Sequence, residues 1–144
     1  MPSLFLIAHI HGCRVAINSD QIESIVHVPD VIPVPHCDPR VAGLFALRSR
    51  VLTLIDSQFV VTGERRTLQR GCLAVVVEIA GHYFGLAVDK VEDVVPLSAE
   101  KIQQCIQPDS HWQSVVSETV EVGEQLVMIL DPARLVSREQ LMAA

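Results

Sequence analysis

Apolar residues fall along this chain in short blocks separated by single glycines, prolines and small polar clusters, the pattern of strands rather than of long helices. Leu4–Ile10 is an apolar run that reads as a strand covered on both faces, with His11-Gly12 as the turn and Arg14–Ile17 as the return. Asn18, with Gln21 three residues on, starts a helical turn that the β-branched Ile25–Val28 and then Pro29 keep to a single turn. Pro29, Pro33 and Pro35 stiffen an extended, edge-like stretch, and Asp38-Pro39-Arg40 opens another short turn. Gly43–Leu47 and Val51–Ile55 pair around the polar corner Arg48-Ser49-Arg50, Asp56–Val61 adds a helical turn, and Thr62–Arg70 is a polar linker.

The second half repeats the plan. Cys72–Ile79 and His82–Val88 flank Ala80-Gly81, Val91–Leu97 is a third strand, and Ser98-Ala99-Glu100-Lys101 is a capped turn. Residues 103–114, which include Trp112, read as irregular; Val115–Val122 and Gln125–Leu130 then make a hairpin about Gly123-Glu124. Asp131 as N-cap and Pro132 at the first helical position start a helix that reaches about Leu141. The pattern predicts about ten short strands and one terminal helix, hence two small antiparallel barrels.

The same arrangement occurs twice, because residues 4–28 align with residues 73–97 without a gap at an offset of sixty-nine. Leu4, Ile10, Gly12, Asp20, Glu23 and Val26 face Leu73, Ile79, Gly81, Asp89, Glu92 and Val95, and apolar also matches apolar at eight further positions. Arg50–Asp56 is echoed by Gln125–Asp131 after a slightly longer connection. Residues 1–144 therefore read as one domain with a first module over about 4–61, a second over about 72–131 and a terminal helix over 132–143. Strands are free to be exchanged between the two modules, and their junction is a natural place for a partner.

Composition narrows the class. Hydrophobic residues make up 49% and charged residues 19% of 144, which is the balance of a folded chain with apolar surface to spare for interfaces. The net charge of −6 comes without any Lys/Arg run, which argues against nucleic acid as a partner. Cys13, Cys37, Cys72 and Cys105 are too far apart for a zinc or disulfide framework and read as free thiols in a reducing cytoplasm. The N-terminal apolar run lacks a basic lead and is too short to span a bilayer, so the chain is expected in the cytoplasm without direct membrane insertion.

Candidate chemistry is sparse. His9 and His11 share a strand face, but no third metal ligand stands at suitable spacing. His36-Cys37-Asp38 places reactive types side by side, whereas catalytic partners usually meet through the fold. Asp20, Glu23, Asp89 and Glu92 fall in short polar turns and read as capping or solvated charge. No nucleophile elbow, zinc-binding helix motif or phosphate-cradling glycine loop occurs, so no catalytic residue, metal or cofactor is assigned. Arg48, between two apolar strands, suits either a structural role or a partner's carboxylate. A small enzyme or metal-binding barrel built on His9, His11 or the 36–38 cluster is the competing class, and a module detached from a larger kinase or receptor is a third.

Two stretches resemble a known family. Gly43–Asp56 (GLFALRSRVLTLID) is similar to the CheW pattern G-V-x-N-L-R-G-x-[IV]-x-P-[IV]-x-D-L, and Leu86–Ile102 (LAVDKVEDVVPLSAEKI) to V-D-x-V-x-x-V-x-x-[IL]. The resemblance covers essentially the whole chain and implies a mainly β fold of two intertwined, five-stranded, SH3-like antiparallel barrels. It implies a non-enzymatic adaptor that couples chemoreceptors to a chemotaxis histidine kinase, or a divergent relative serving a pilus-linked or other non-flagellar system. By position, Gly43, Leu47, Arg48, Val51 and Asp56 match the first motif, and Asp89, Val91 and Val94 the second. Ile22, Ser24 and Ile25 fall where the family has a D-x-[IV]-x-x-[IV] edge that contacts receptors. The implied partners are the kinase regulatory domain and the cytoplasmic tip of a chemoreceptor. A helical hairpin laid in an apolar groove would use Ile22, Ile25, Val91 and Val94 as walls and Arg48 as a polar anchor. Ala46, Ser49, Thr53 and Ser57 stand where the family usually has Asn, Gly, Pro and Leu.

Overall fold

The structure, a computed structural model, describes residues 3–34, 39–64, 68, 70–98, 102–104, 116–123 and 125–136. The first half gives β1 (Ser3–Ile10), β2 (Cys13–Asn18), a 3-10 turn (Ser19–Gln21), β3 (Ile22–His27), β4 (Val41–Leu47), β5 (Arg50–Ile55) and α1 (Ser57–Thr62). The second gives β6 (Leu73–Ile79), β7 (His82–Val88), β8 (Lys90–Leu97), β9 (Ile102–Gln104), β10 (Val116–Val122), β11 (Gln125–Leu130) and α2 (Pro132–Val136).

Local chemistry accounts for the joints. The β1–β2 corner has positive φ at His11 (52°) and Gly12 (76°), and the β6–β7 corner at Ala80 (52°) and Gly81 (83°), the signature of tight hairpin turns that follow the strand twist. Asn18 caps the 3-10 turn by accepting from the Asp20 N–H at 2.9 Å. Asp56 caps α1 by accepting from the Phe59 N–H at 3.1 Å, and Asp131 accepts from the Ala133 N–H at 3.0 Å at the equivalent corner. The stretch 35–38, residues 99–101 and 105–115, and the part of the expected terminal helix beyond Val136 lie outside the described residues, and with them the 36–38 cluster, Cys105 and Trp112.

The strands form two sheets, one of six strands in the order β8-β1-β2-β11-β10-β9 and one of five in the order β3-β6-β7-β5-β4. Each is assembled from both halves of the sequence. The β1–β2 hairpin of the first half is flanked by β8 and β11 of the second, and the β6–β7 hairpin of the second by β3 and β5 of the first. The correspondence extends to register: Ile25 pairs with Val75 as Val94 pairs with Leu6, and Thr53 pairs with Phe84 as Met128 pairs with Val15. Irregularities repeat too, between Ile22 and Ser24 in β3, across the matching part of β8, and in β4 and β10 at Gly43 and Glu118.

This arrangement corrects the expectation of two closed, five-stranded antiparallel barrels. Neither sheet closes: among the described pairings the outermost strands β8 and β9 do not meet, nor do β3 and β4. The sheets are mixed, because β2 with β11 and β5 with β7 run parallel. The cause is the reciprocal assembly, which sets beside each hairpin a strand reached through a long connection rather than a tight turn. The edges are also poor pairing partners: β8 carries Pro96 and its bulge at Glu92, while the chain after β3 turns into Pro29 and Pro33. Eleven strands rather than ten are present among the described residues, since β9 lies partly in the stretch read as irregular.

The core has three parts. Alternate residues of β1 and β6 point to opposite faces, so Leu6, Ala8, Val75 and Val77 join a cluster shared by both sheets, together with Val15, Phe84, Ile55 and Leu130. Phe5 and Ile7 face a separate cluster under the six-stranded sheet, and Ala74 and Val76 face one under the five-stranded sheet. Sheets covered on both faces explain why these strands read as unbroken apolar runs. Leu135 and Val136 tie α2 into the shared cluster. Phe45 fills the five-stranded sheet's own cluster, and a Cβ built on Gly85 would come within 2.8 Å of its ring. At the equivalent positions of the other sheet Ala16 and Val120 share the load, so the missing methyl at position 85 makes room for the larger ring. Gly85→Ala is expected to destabilise by about 1–3 kcal/mol through overpacking. Phe45→Leu in the same chain should recover part of that loss in urea unfolding.

Candidate functional site

The ends of the two sheets carry related side-chain arrangements. In the five-stranded sheet, a hollow of about 310 Å³ lies between β3 and the β4–β5 hairpin, lined by Glu23, Ser24, Ile25, Val26, Leu47, Arg48, Arg50, Leu52, Val76 and Tyr83. Of the residues expected at an interface it gathers Ser24, Ile25, Leu47 and Arg48. Val51 stands on the same hairpin, opposite Ala46 in the register and 68% exposed, and Ile25 is 40% exposed. Arg48 (φ 52°) and Ser49 (φ 70°) adopt the left-handed turn without a glycine, Ser49 standing where the family pattern has Gly.

Other expected residues lie elsewhere. Gly43 is buried in β4, where a Cβ would meet the Ile32 carbonyl oxygen at 2.6 Å, so its position serves the close approach of the 31–32 backbone. Ile22 and Val91, at equivalent places on β3 and β8, are partly buried against the shared cluster. Ile22 also lines a second hollow of about 370 Å³ with Asp20, Glu23, Val77, Ile79 and Pro132. Val94 is exposed on β8, and the Asp89 N–H donates to the His9 carbonyl at 2.7 Å. The four proposed groove walls therefore divide, with Ile22 and Ile25 on the edge of one sheet and Val91 and Val94 on the edge of the other.

Each sheet end is laced by a four-residue polar network at matching positions. In the six-stranded sheet His9 Nε2 contacts Glu92 Oε2, Arg14 Nε donates to that same oxygen at 3.1 Å, and Arg14 Nη1 donates to Gln125 Oε1 at 2.7 Å. These residues sit on β1, β8, β2 and β11, four neighbouring strands. The counterpart is Glu78, Glu23, Tyr83 and Arg50: the Arg50 guanidinium lies 4.3 Å from the Tyr83 ring centroid and 4.0 Å from Glu23 Oε1. Hydrogen bonding to Glu78 and then burial hold the Tyr83 phenol above its ordinary range, against the opposing charge of Arg50. Hydrogen bonding to His9 holds the Glu92 carboxyl below its ordinary range, with Arg14 acting in the same direction. Glu92, read as a solvated acid, is thus the centre of a network, and His9 faces a carboxylate; among the described residues no cluster of three or more metal-ligating side chains forms. The sequence signal for both networks was the repeat offset, which pairs polar positions 9 with 78, 14 with 83 and 50 with 125.

A protein-family model for the CheW-like domain matches residues 4–140. The chain belongs to the CheW-like family. It is 26% identical over 128 residues to the chemotaxis protein CheW of Treponema pallidum, which covers 83% of this chain and 74% of that protein. The fold matches the crystal structure of the scaffolding protein TtCheW from Thermoanaerobacter tengcongensis with a TM-score of 0.81 at 18% identity, covering 91% of this chain and 90% of that one. CheW-family proteins are non-catalytic scaffolds that generally bridge chemoreceptors and CheA-like kinases, and this chain has a non-enzymatic, CheW-like scaffold or adaptor role in chemotaxis signalling. Among the described residues no helix is long and apolar enough to cross a membrane.

The lowered Glu92 carboxyl carries a pH signature. A carboxylate held below its ordinary value of 4.5 in the folded state contributes stability above that value and loses it as pH falls through the folded one. The stability gap between wild type and Glu92→Gln should therefore shrink as the pH falls below about 4.5 in a series of urea titrations. A gap that widened below that pH would contradict the assignment.

Proposed function

We propose that this CheW-like chain works in the cytoplasm as the link between the cytoplasmic tip of a chemoreceptor and the regulatory domain of a CheA-like histidine kinase. The kinase domain docks on the end of the five-stranded sheet, against Ile25, Leu47, Arg48 and Val51. The receptor's helical hairpin lies along an edge strand, with Ile22 on β3 as the apolar contact and Ser24 beside it, and Val91, with Asp89 and Val94, offers the matching contact on β8 of the other sheet.

The observation that carries the kinase assignment is the hollow that gathers Ile25, 40% exposed, with Leu47 and two arginines, on the end of the sheet where Val51 of the same hairpin is 68% exposed. Exposed apolar side chains grouped at a strand corner contribute to binding because a partner removes them from water. For the receptor, support comes from Ile22 and Val91, half-covered at matching positions over the shared core, and from the hollow beside Ile22. An amphipathic helix gains its affinity from a few such anchors. Transmission then requires no chemistry in this chain, only a change in how the two partners are held.

Isothermal titration of the kinase regulatory domain and of a receptor tip fragment separates the two surfaces. Val51→Asp is expected to weaken the kinase domain at least tenfold, about 1.4 kcal/mol, and leave the receptor fragment unchanged. Ile22→Ala should do the reverse. A folded Val51→Asp chain with full kinase-domain affinity would contradict the assignment of the two ends.

A further inference from the structure

The near two-fold correspondence of the sheets raises a question of choice. The apolar part of the surface is present at both ends: Ile25 is matched by Val94, and Val51 by Leu126, which is also 68% exposed. Apolar contact alone would let one partner seat at either end. Discrimination requires a difference at equivalent positions, and the two networks differ at three, Arg50 against Gln125, Tyr83 against Arg14 and Glu78 against His9, so that each holds one arginine in a different setting. At the six-stranded end the polar groups are spent on one another, since Glu92 Oε2 faces both His9 and Arg14 while Arg14 also holds Gln125. At the five-stranded end Arg50 is 54% exposed and its guanidinium carbon stands over the Tyr83 ring, 4.3 Å from the centroid. Its distance to Glu23 is 4.0 Å, a charge contact too long for a hydrogen bond.

We infer that Arg50 is the specificity-determining residue of this surface, reading an acidic side chain on the docked partner and so selecting the Val51 end over the Leu126 end. A guanidinium pre-oriented by stacking offers a rigid fork to a carboxylate and loses little freedom on pairing. Arg48 lines the same hollow and adds a second positive charge, set against Glu23 in the lining and Glu78 at Tyr83. Glu23 sets how much the partner's acid gains, since the pair must be shared with it. The inference rests on the docking reading above.

The test uses the full chain and the regulatory domain of the CheA-like kinase from the same organism. Arg50→Gln, which copies Gln125, is expected to weaken binding at least tenfold and to lower the salt dependence of the dissociation constant, a change that loss of fold would not mimic. Hydrogen exchange should show partner protection concentrated on Arg50–Ile55 in the wild type and divided with Gln125–Leu130 in the variant. Arg50→Lys should keep the charge but recover only part of the affinity. If Val51→Asp weakens binding while Arg50→Gln leaves affinity, salt dependence and protection as in the wild type, the docking reading stands and the role of Arg50 is overturned. If the wild-type chain shows no binding or no protection at Arg50–Ile55, both fall.

Discussion

Everything in this molecule depends on two short parallel ladders, β2 against β11 and β5 against β7. Through them each half of the chain completes the sheet begun by the other. Without them the β1–β2 and β6–β7 hairpins would each lose a neighbour, and the cluster shared by both sheets would lose Ile55 and Leu130 from its walls. The ladders carry few backbone hydrogen bonds, so their strength lies in the apolar area they bring together. Gly85 and Phe45 show how tightly that area is filled, because one added methyl in one ladder meets the ring on β4.

The reciprocal construction also explains why the side-chain arrangement at the sheet end has two versions. Matching positions supply exposed apolar residues at both sheet ends and a polar network behind each of them. Duplicated architecture gives an adaptor two places to hold proteins, and the divergence of single residues between the copies lets those places differ. The scaffold role of the CheW-like family fits such a molecule, in which binding geometry carries the signal and no reacting group is required.

Much of this was legible in the order of residues. The hairpin corners followed from His11-Gly12 and Ala80-Gly81, the short helical turns from Asn18, Asp56 and Asp131, and the strand blocks from apolar runs bounded by proline and glycine. Sheet closure and strand direction were misread, because periodicity within a strand says which face is buried but nothing of its neighbour. The links between His9 and Glu92, 83 residues apart, and between Arg50 and Tyr83 depend on that neighbour choice and were hidden for the same reason. Gly43 shows the opposite case: its place in a family motif was evident, but the close Ile32 carbonyl that requires a glycine became visible only in the fold.

The reciprocal assembly is tested most directly by dividing the chain within its polar linker and producing residues 1–66 and 67–144 separately. Neither piece should give a folded monomer, since each would lack the strands that flank its central hairpin. Mixed together, they should form a one-to-one complex whose amide spectrum overlays that of the intact chain. A dispersed, monomeric spectrum from either piece alone would show that a half completes its own sheet, contradicting the construction described.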